Sequence, residues 1–150
     1  MEQKIKVRLR LVIINDGKLL ATYNSQENFY YYLGGKLDFG ETVEEAWNRE
    51  IKEECPPGTQ FTFQKILYVR DFIQKENNEH SLELFVLGSV NKSEDLEKYH
   101  DPEHGERNWS TWLDINNLPV NLYPQSLSKK LLADFKNGFP REGEYIGQIK

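Results

Sequence analysis

The sequence predicts an α+β domain built mostly of strands, and three observations carry that expectation. Six stretches show the alternation, or the β-branched and aromatic enrichment, of strands. Two others repeat apolar residues every three or four positions, as amphipathic helices do. The 150 residues contain no repeat, low-complexity tract or Gly/Ser linker, so residues 1–150 are expected to form a single domain.

From Ile5 to Ile14, Ile5, Val7, Leu9 and Leu11 alternate with Lys6, Arg8 and Arg10 before the apolar Val12 to Ile14, a strand that becomes more buried along its length. Asp16-Gly17 then provides a tight hairpin turn into a second strand, Lys18 to Tyr23. Beyond a polar loop, Phe29 to Tyr32 reads as a short strand with both faces covered, ending at Gly34-Gly35. Thr42 and Glu45 form a capping box, and Val43, Ala46, Trp47 and Ile51 recur at helical spacing, which predicts a helix from Val43 to Glu54 stopped by Pro56-Pro57-Gly58. Phe61 to Ile73 and Leu82 to Val90 are strands joined through a polar hairpin region, Gln74 to His80. Asn91 to Asn108 is an acidic, irregular loop, and Trp109 to Leu113 is another strand. Ser126 to Lys136, with Leu127, Leu131, Leu132 and Phe135 on one face, is a second helix ending at Gly138.

Composition narrows the function classes. Apolar residues make up 38% and charged residues 29% of the chain, the balance of an ordinary globular protein. A net charge of -5 argues against a nucleic acid polymer as partner, because phosphate contacts need clustered Lys and Arg. A small anionic substrate remains compatible if a divalent cation stands between its phosphates and the carboxylates of the protein. Cys55 is the one cysteine, so no intrachain disulfide can form and a cytoplasmic location is expected. No stretch reads as a signal peptide or membrane span.

The predicted first helix carries Glu50, Glu53 and Glu54 at positions i, i+3 and i+4, so three carboxylates share one face. They lie beside the apolar stripe, at the rim of a packed surface. Like charges there raise one another's pKa unless a counter-charge is present, and a hard cation with oxygen ligands, Mg2+ or Mn2+, is the natural one. Taken alone, such a helix is more often a solvated charged surface. The segment from Gly34 to Glu54, however, resembles the signature of the Nudix family, GX5EX7REUXEEXGU with U aliphatic: Gly35 is the first glycine, Glu41 the isolated glutamate, Arg49-Glu50-Ile51 the REU group and Glu53-Glu54 the acidic pair. Outside this segment the likeness is looser; it includes Trp112 to Pro119 and extends to about Phe139.

The resemblance implies an α/β/α sandwich, a mixed β-sheet with one helix on each side. It implies hydrolysis of a diphosphate linkage in a nucleoside diphosphate derivative, with Mg2+ or Mn2+ held by Glu50, Glu53, Glu54 and the main-chain carbonyl near Gly34. Glu41, with Gly35, would support the site or act as an outer ligand, and Arg49 would orient the carboxylates. Glu50 or Glu53 is the first candidate for general base; some relatives use a distant loop, where Glu103 and Glu106 are the candidates here. A homodimer is compatible with the family. The other functional class is a Nudix-fold module that senses a ligand or binds a protein without catalysis, and the intact glutamate trio speaks against it. Pro56 stands where the family has glycine, with Gly58 placed to take over the left-handed turn, and Leu33 stands where proline is common.

Several residues keep two readings. Lys36 and Glu106 are candidate substrate contacts or solvent-facing loop residues. Phe29, Tyr30, Tyr31 and Tyr32 stack on a base or fill core and surface. Arg70 contacts a phosphate or pairs across strands. His100 and His104 have metal-compatible spacing, but Asp101-Pro102 breaks any helix between them and no zinc set accompanies them. Trp109 and Trp112 are read as core, and Cys55 as structural.

Overall fold

The computed structural model describes residues 2–102 and 105–150. Among the described residues it contains nine strands and two α-helices. In chain order these are β1 (Lys6–Asn15), β2 (Lys18–Asn24), β3 (Phe29–Tyr31), β4 (Leu33–Lys36), α1 (Val43–Glu54), β5 (Phe61–Gln74), β6 (Glu79–Val90), β7 (Asn108–Asp114), β8 (Leu122–Tyr123), α2 (Leu127–Lys136) and β9 (Glu144–Gly147).

The strands follow the order β8-β3-β2-β1-β6-β5-β9, with β4 added beside β1 and β7 beside β2. The sheet is mixed, since β1 runs parallel to β6, β3 to β8 and β5 to β9, whereas the other pairs are antiparallel. β1 divides its partners on one side: residues 8–11 pair with β4, and residues 14–15 pair with β2. The hairpin between β1 and β2 turns through Asp16 and Gly17, both at positive φ, the geometry that matches strand twist in a two-residue loop.

Alternation along β1 feeds the two faces of the sheet. Leu9, Leu11 and Ile13 are fully buried in one core with Trp47 and Ile51 of α1. Val12 joins Tyr68, Phe85 and, from α2, Leu127 and Leu131 in the other. Each helix therefore lays its apolar stripe on one face, and the result is the α/β/α sandwich that the family resemblance implies.

The structure corrects three expectations. The chain does not leave the sheet at Gly34-Gly35; both glycines belong to β4, paired with Arg10 and Leu9 of β1. Glycine is required there by close approach: a Cβ on Gly34 would lie 2.1 Å from the Leu9 carbonyl oxygen, and its φ is +131°. The aromatic run is also not covered on both faces, because Phe29 and Tyr31 line an open cleft; Tyr30 packs against the core, and Tyr32 belongs to the core while also bordering the cleft. Trp109, read as core, is only half-buried against Tyr23, whereas Trp112, also half-buried, packs against the core under α1 and donates its indole N–H to the Ser93 carbonyl.

Helix α1 ends where its sequence demands. The Thr42 side chain accepts from the Glu45 N–H and the Glu45 carboxylate accepts from the Thr42 N–H, both at 3.0 Å, which closes the capping box. At the other end Cys55 is extended, as a residue before proline must be, and Gly58 supplies the positive φ two residues after Pro56. Glu54 remains on the last helical turn.

Candidate active site

The carboxylates of α1 meet the glycines of β4. Glu50 and Glu54 are 5% and 7% exposed, deeper than the rim position that the helical wheel predicts. Glu54 Oε2 accepts the Gly34 N–H at 3.0 Å. A Cβ on Gly35 would stand 2.7 Å from Glu50 Oε1, so that glycine leaves room for the carboxylate. Glu53 is a third exposed.

Arg49 organises the outer side of this group. Its Nε and Nη2 grip Glu41 at 2.7 and 2.9 Å in a bidentate pair, its Nη1 reaches Glu50 at 3.1 Å and Glu53 at 3.4 Å, and Nη2 also donates to the Lys36 carbonyl at 3.0 Å. Glu41 further accepts the Asp38 N–H at 3.0 Å. The Arg49 hydrogen bonds, with that backbone donor, hold the Glu41 carboxyl down at about 2. One guanidinium thereby ties loop, strand and helix together at the site.

The inner carboxylates behave in the opposite sense. Burial, followed by the nearby Glu50 charge, pushes Glu54 up to about 8. Burial also raises Glu50, against the pull of Arg49. Two buried acids one helical turn apart, served by one arginine and one backbone N–H, form a site short of positive charge. Their oxygen donors suit a hard divalent cation. Among the described residues, no three acidic, histidine or cysteine side chains converge closely enough as they stand to enclose an ion.

A cleft of about 810 Å³ opens beside this site. Its aromatic wall is Phe29 and Tyr31 of β3 with Tyr123 of β8, whose rings lie 5.7 and 5.8 Å from that of Phe29. Its polar wall holds Arg8 and Arg10 of β1, Arg70 of β5, and Glu79 and Glu83 of β6. Three arginines against two glutamates give this wall a positive excess in a protein of net charge -5. The Tyr32 hydroxyl, which belongs to a cleft-lining residue, is buried with no hydrogen-bond partner among the described residues. The box glutamates do not line the cleft. They adjoin its end, because Arg10 stands opposite Gly34 in the β1/β4 register and Gly34 holds Glu54. Burial chiefly raises both Glu54 and Tyr31, and the Arg10 charge opposes the rise in each.

Gly34, Gly35, Glu41, Arg49, Glu50, Glu53 and Glu54 thus come together as one group. Lys36 is exposed on β4, joined to the group through its carbonyl. Glu106 is exposed and lies outside the cleft lining. Glu103 and His104 lie outside the described residues. Arg70, left open between two readings, pairs with Glu83 directly across the β5/β6 register. Cys55 is a buried free thiol, which burial pushes up to about 12. Sequence reasoning missed two groups. Asp101 is 8% exposed and lies near enough to Glu54 for its charge to act there, yet it sits in a loop read only as acidic. Arg8 and Arg10 stand in the sequence only as basic residues alternating along a strand, with no site role; the matching polar alternation of Glu79, Ser81 and Glu83 in β6 was the available signal.

The fold and this arrangement define a Nudix-type α/β/α protein with its acidic helix end against a glycine strand. The sequence model of the NUDIX domain matches residues 5–135, and the chain belongs to that family as a Nudix hydrolase. It is 28% identical over 109 residues, 73% of this chain and 68% of the relative, to an uncharacterized Nudix hydrolase, YvcI, of Bacillus subtilis strain 168. Among solved structures it resembles a MutT NUDIX hydrolase from Burkholderia pseudomallei, with TM-score 0.65 and 24% identity over 85% of this chain and 97% of that one. It also resembles an ADP-ribose pyrophosphatase from Streptococcus suis 89-1591, with TM-score 0.63 and 19% identity over 95% and 98% of the two chains. At these identities the two structures establish a shared fold.

Proposed function

We propose that the chain hydrolyses the diphosphate linkage of a nucleoside diphosphate derivative, giving a nucleoside monophosphate and a phosphorylated second product, with Mg2+ or Mn2+ as cofactor. One observation carries this reading: a pair of buried, cation-deficient carboxylates, Glu50 and Glu54, adjoins a cleft with an aromatic wall facing an arginine wall. The aromatic side suits a nucleobase and the arginines suit phosphates. Glu50, Glu53, Glu54 and the Gly34 carbonyl would hold the ion. When bound, a divalent cation offsets the carboxylate charge, polarises the phosphoryl group and lowers the pKa of water.

The residues of the chain supply the rest. Water attacks one phosphorus; its proton passes to Glu50 or Glu53, and the bond from that phosphorus to the bridging oxygen breaks, so this oxygen leaves on the second phosphate. Arg49 keeps Glu41, Glu50 and Glu53 in register. The same reading takes residues 1–150 as one domain working in the cytoplasm, with a small nucleotide-like substrate, no nucleic acid polymer or membrane as partner, and a homodimer as a compatible assembly.

The test is phosphate release, with coupled phosphatases, from (d)NTPs, ADP-ribose, sugar nucleotides and dinucleoside polyphosphates. Turnover is expected only with Mg2+ or Mn2+, and Glu53→Gln should lower it by about 100-fold. Binding without turnover across the whole panel would reject hydrolysis.

A further inference from the structure

The family match ends at residue 135, but the chain goes on to build part of the cleft. Strand β9 adds to the free edge of β5, and Gln148, Ile149 and Lys150 line the cavity beyond it. The segment is anchored at both ends: β9 pairs with residues 68–70, and the Lys150 carbonyl accepts from the N–H and hydroxyl of Ser126 at 2.9 and 2.6 Å. Between these anchors, the Ile149 carbonyl accepts two donors from Arg70, Nε at 2.9 Å and Nη2 at 2.6 Å.

Arg70 is thereby used up. Its third nitrogen, Nη1, donates to Glu83 Oε1 at 2.5 Å, and the guanidinium lies 4.9 Å from the centre of the Phe72 ring. The other oxygen of Glu83 accepts Arg10 Nε at 3.1 Å. Arg8 is also committed, to Ser81 through Nε and to Glu79 through Nη2. Of the three cleft arginines, Arg10 alone leaves both terminal nitrogens without a hydrogen bond or ion pair among the described residues. The geometry also leaves charge over. Glu83 is 2% exposed and neutralises one guanidinium, but two arginines bind it, so the group is a net cation at the end of the cleft nearest Glu54.

We propose that Arg10 contacts the diphosphate of the substrate, and that residues 144–150 aim it through the Ile149 carbonyl, Arg70 and Glu83. This rests on the reading that the cleft receives the substrate. Arg70 and Glu83 are positioning residues. The fork of Arg70 fits one carbonyl on one side and one carboxylate on the other, so moving the carbonyl moves Glu83 and with it the Nε of Arg10. The last segment of the chain, outside the family domain, then helps to determine how tightly a substrate is held.

Binding of inorganic pyrophosphate, ADP and adenosine is measured by calorimetry in EDTA, which separates the cleft from the metal, and KM and kcat are measured with Mg2+. Arg10→Ala should weaken pyrophosphate and ADP by about tenfold and leave adenosine unchanged. Replacing Arg70 by alanine would empty a buried position and take both side-chain donors from the Ile149 carbonyl, which threatens folding, so two milder variants carry the test. Arg70→Lys keeps the charge and loses the fork. Gly147→Val strains the exit from β9, where φ is +70° and a Cβ meets nothing within 4 Å, so the tail shifts without a clash. Both should weaken pyrophosphate and ADP by about threefold to tenfold and raise KM, with kcat within about twofold and adenosine unaffected. Pyrophosphate binding at wild-type strength in Arg10→Ala, or in both Arg70→Lys and Gly147→Val, overturns the proposal while the hydrolase reading stands. A wild-type protein that neither binds pyrophosphate or ADP nor hydrolyses any of the panel removes both.

Discussion

Gly35 has room for a hydrogen and little more, because a Cβ there would lie 2.7 Å from Glu50 Oε1. Gly35→Ala should therefore displace the carboxylate and lower turnover by about tenfold to 100-fold, while the thermal midpoint changes little. Steady-state kinetics beside a melting curve decide this, and unchanged kcat would mean that Glu50 relaxes at no cost. Glu54 gives a second expectation at this scale. Burial, then Glu50, raises it from 4.5 to about 8, so between those values the folded protein keeps a proton that the unfolded chain has released. Its contribution to stability is fully present below about pH 4.5 and is lost as pH rises through about 8. Metal-free protein in EDTA should melt at progressively lower temperature from pH 5 to 8, and Glu54→Gln should flatten that decline. Equal slopes in the two proteins would show that other groups cause it.

At the scale of elements, helix α1 has to deliver its C-terminal end accurately, since Glu50, Glu53 and Glu54 all lie within its last five residues. Its register is fixed at the front by the Thr42–Glu45 capping box and at the back by the extended Cys55 before Pro56. Thr42→Ala should cost about 1 kcal/mol, read from the urea midpoint; no change would mean that packing of Trp47 and Ile51 alone holds the first turn. This helix was legible in the sequence from Val43 to Glu54, because capping and periodicity are local properties of neighbouring residues. Strand β4 was not. Gly34 and Gly35 lack the side chains that mark a strand; they pair with β1 all the same, where Gly34 lies so close to the Leu9 carbonyl that only glycine fits and Gly35 leaves room for the Glu50 carboxylate. Strands β8 and β9, of two and four residues, are too short to show a period at all.

For the whole molecule, two cores on opposite faces of one sheet divide the labour. The core under α1 supports the glutamates, and the core under α2 supports the floor of the cleft through Tyr32, Tyr68 and Phe85. Leu131→Ala in the second core should cost about 2–5 kcal/mol. At a temperature where the variant is still fully folded, KM and kcat should stay near wild type. A specific loss of substrate binding under those conditions would mean that α2 shapes the cleft directly and not only through stability. The sequence by itself determined the strands with clear alternation, the two helices with their ends, and the acidic group at spacings i, i+3 and i+4, since each depends on residues within a few positions of one another. Tertiary structure alone decided which charges meet. Arg10 reaches Glu83 across 73 positions and Arg70 reaches Ile149 across 79, contacts created by the order β1-β6-β5-β9 and its register. Local sequence cannot specify such pairings, because an arginine on an alternating strand has the same pattern whether its outer face meets solvent or the wall of a cleft.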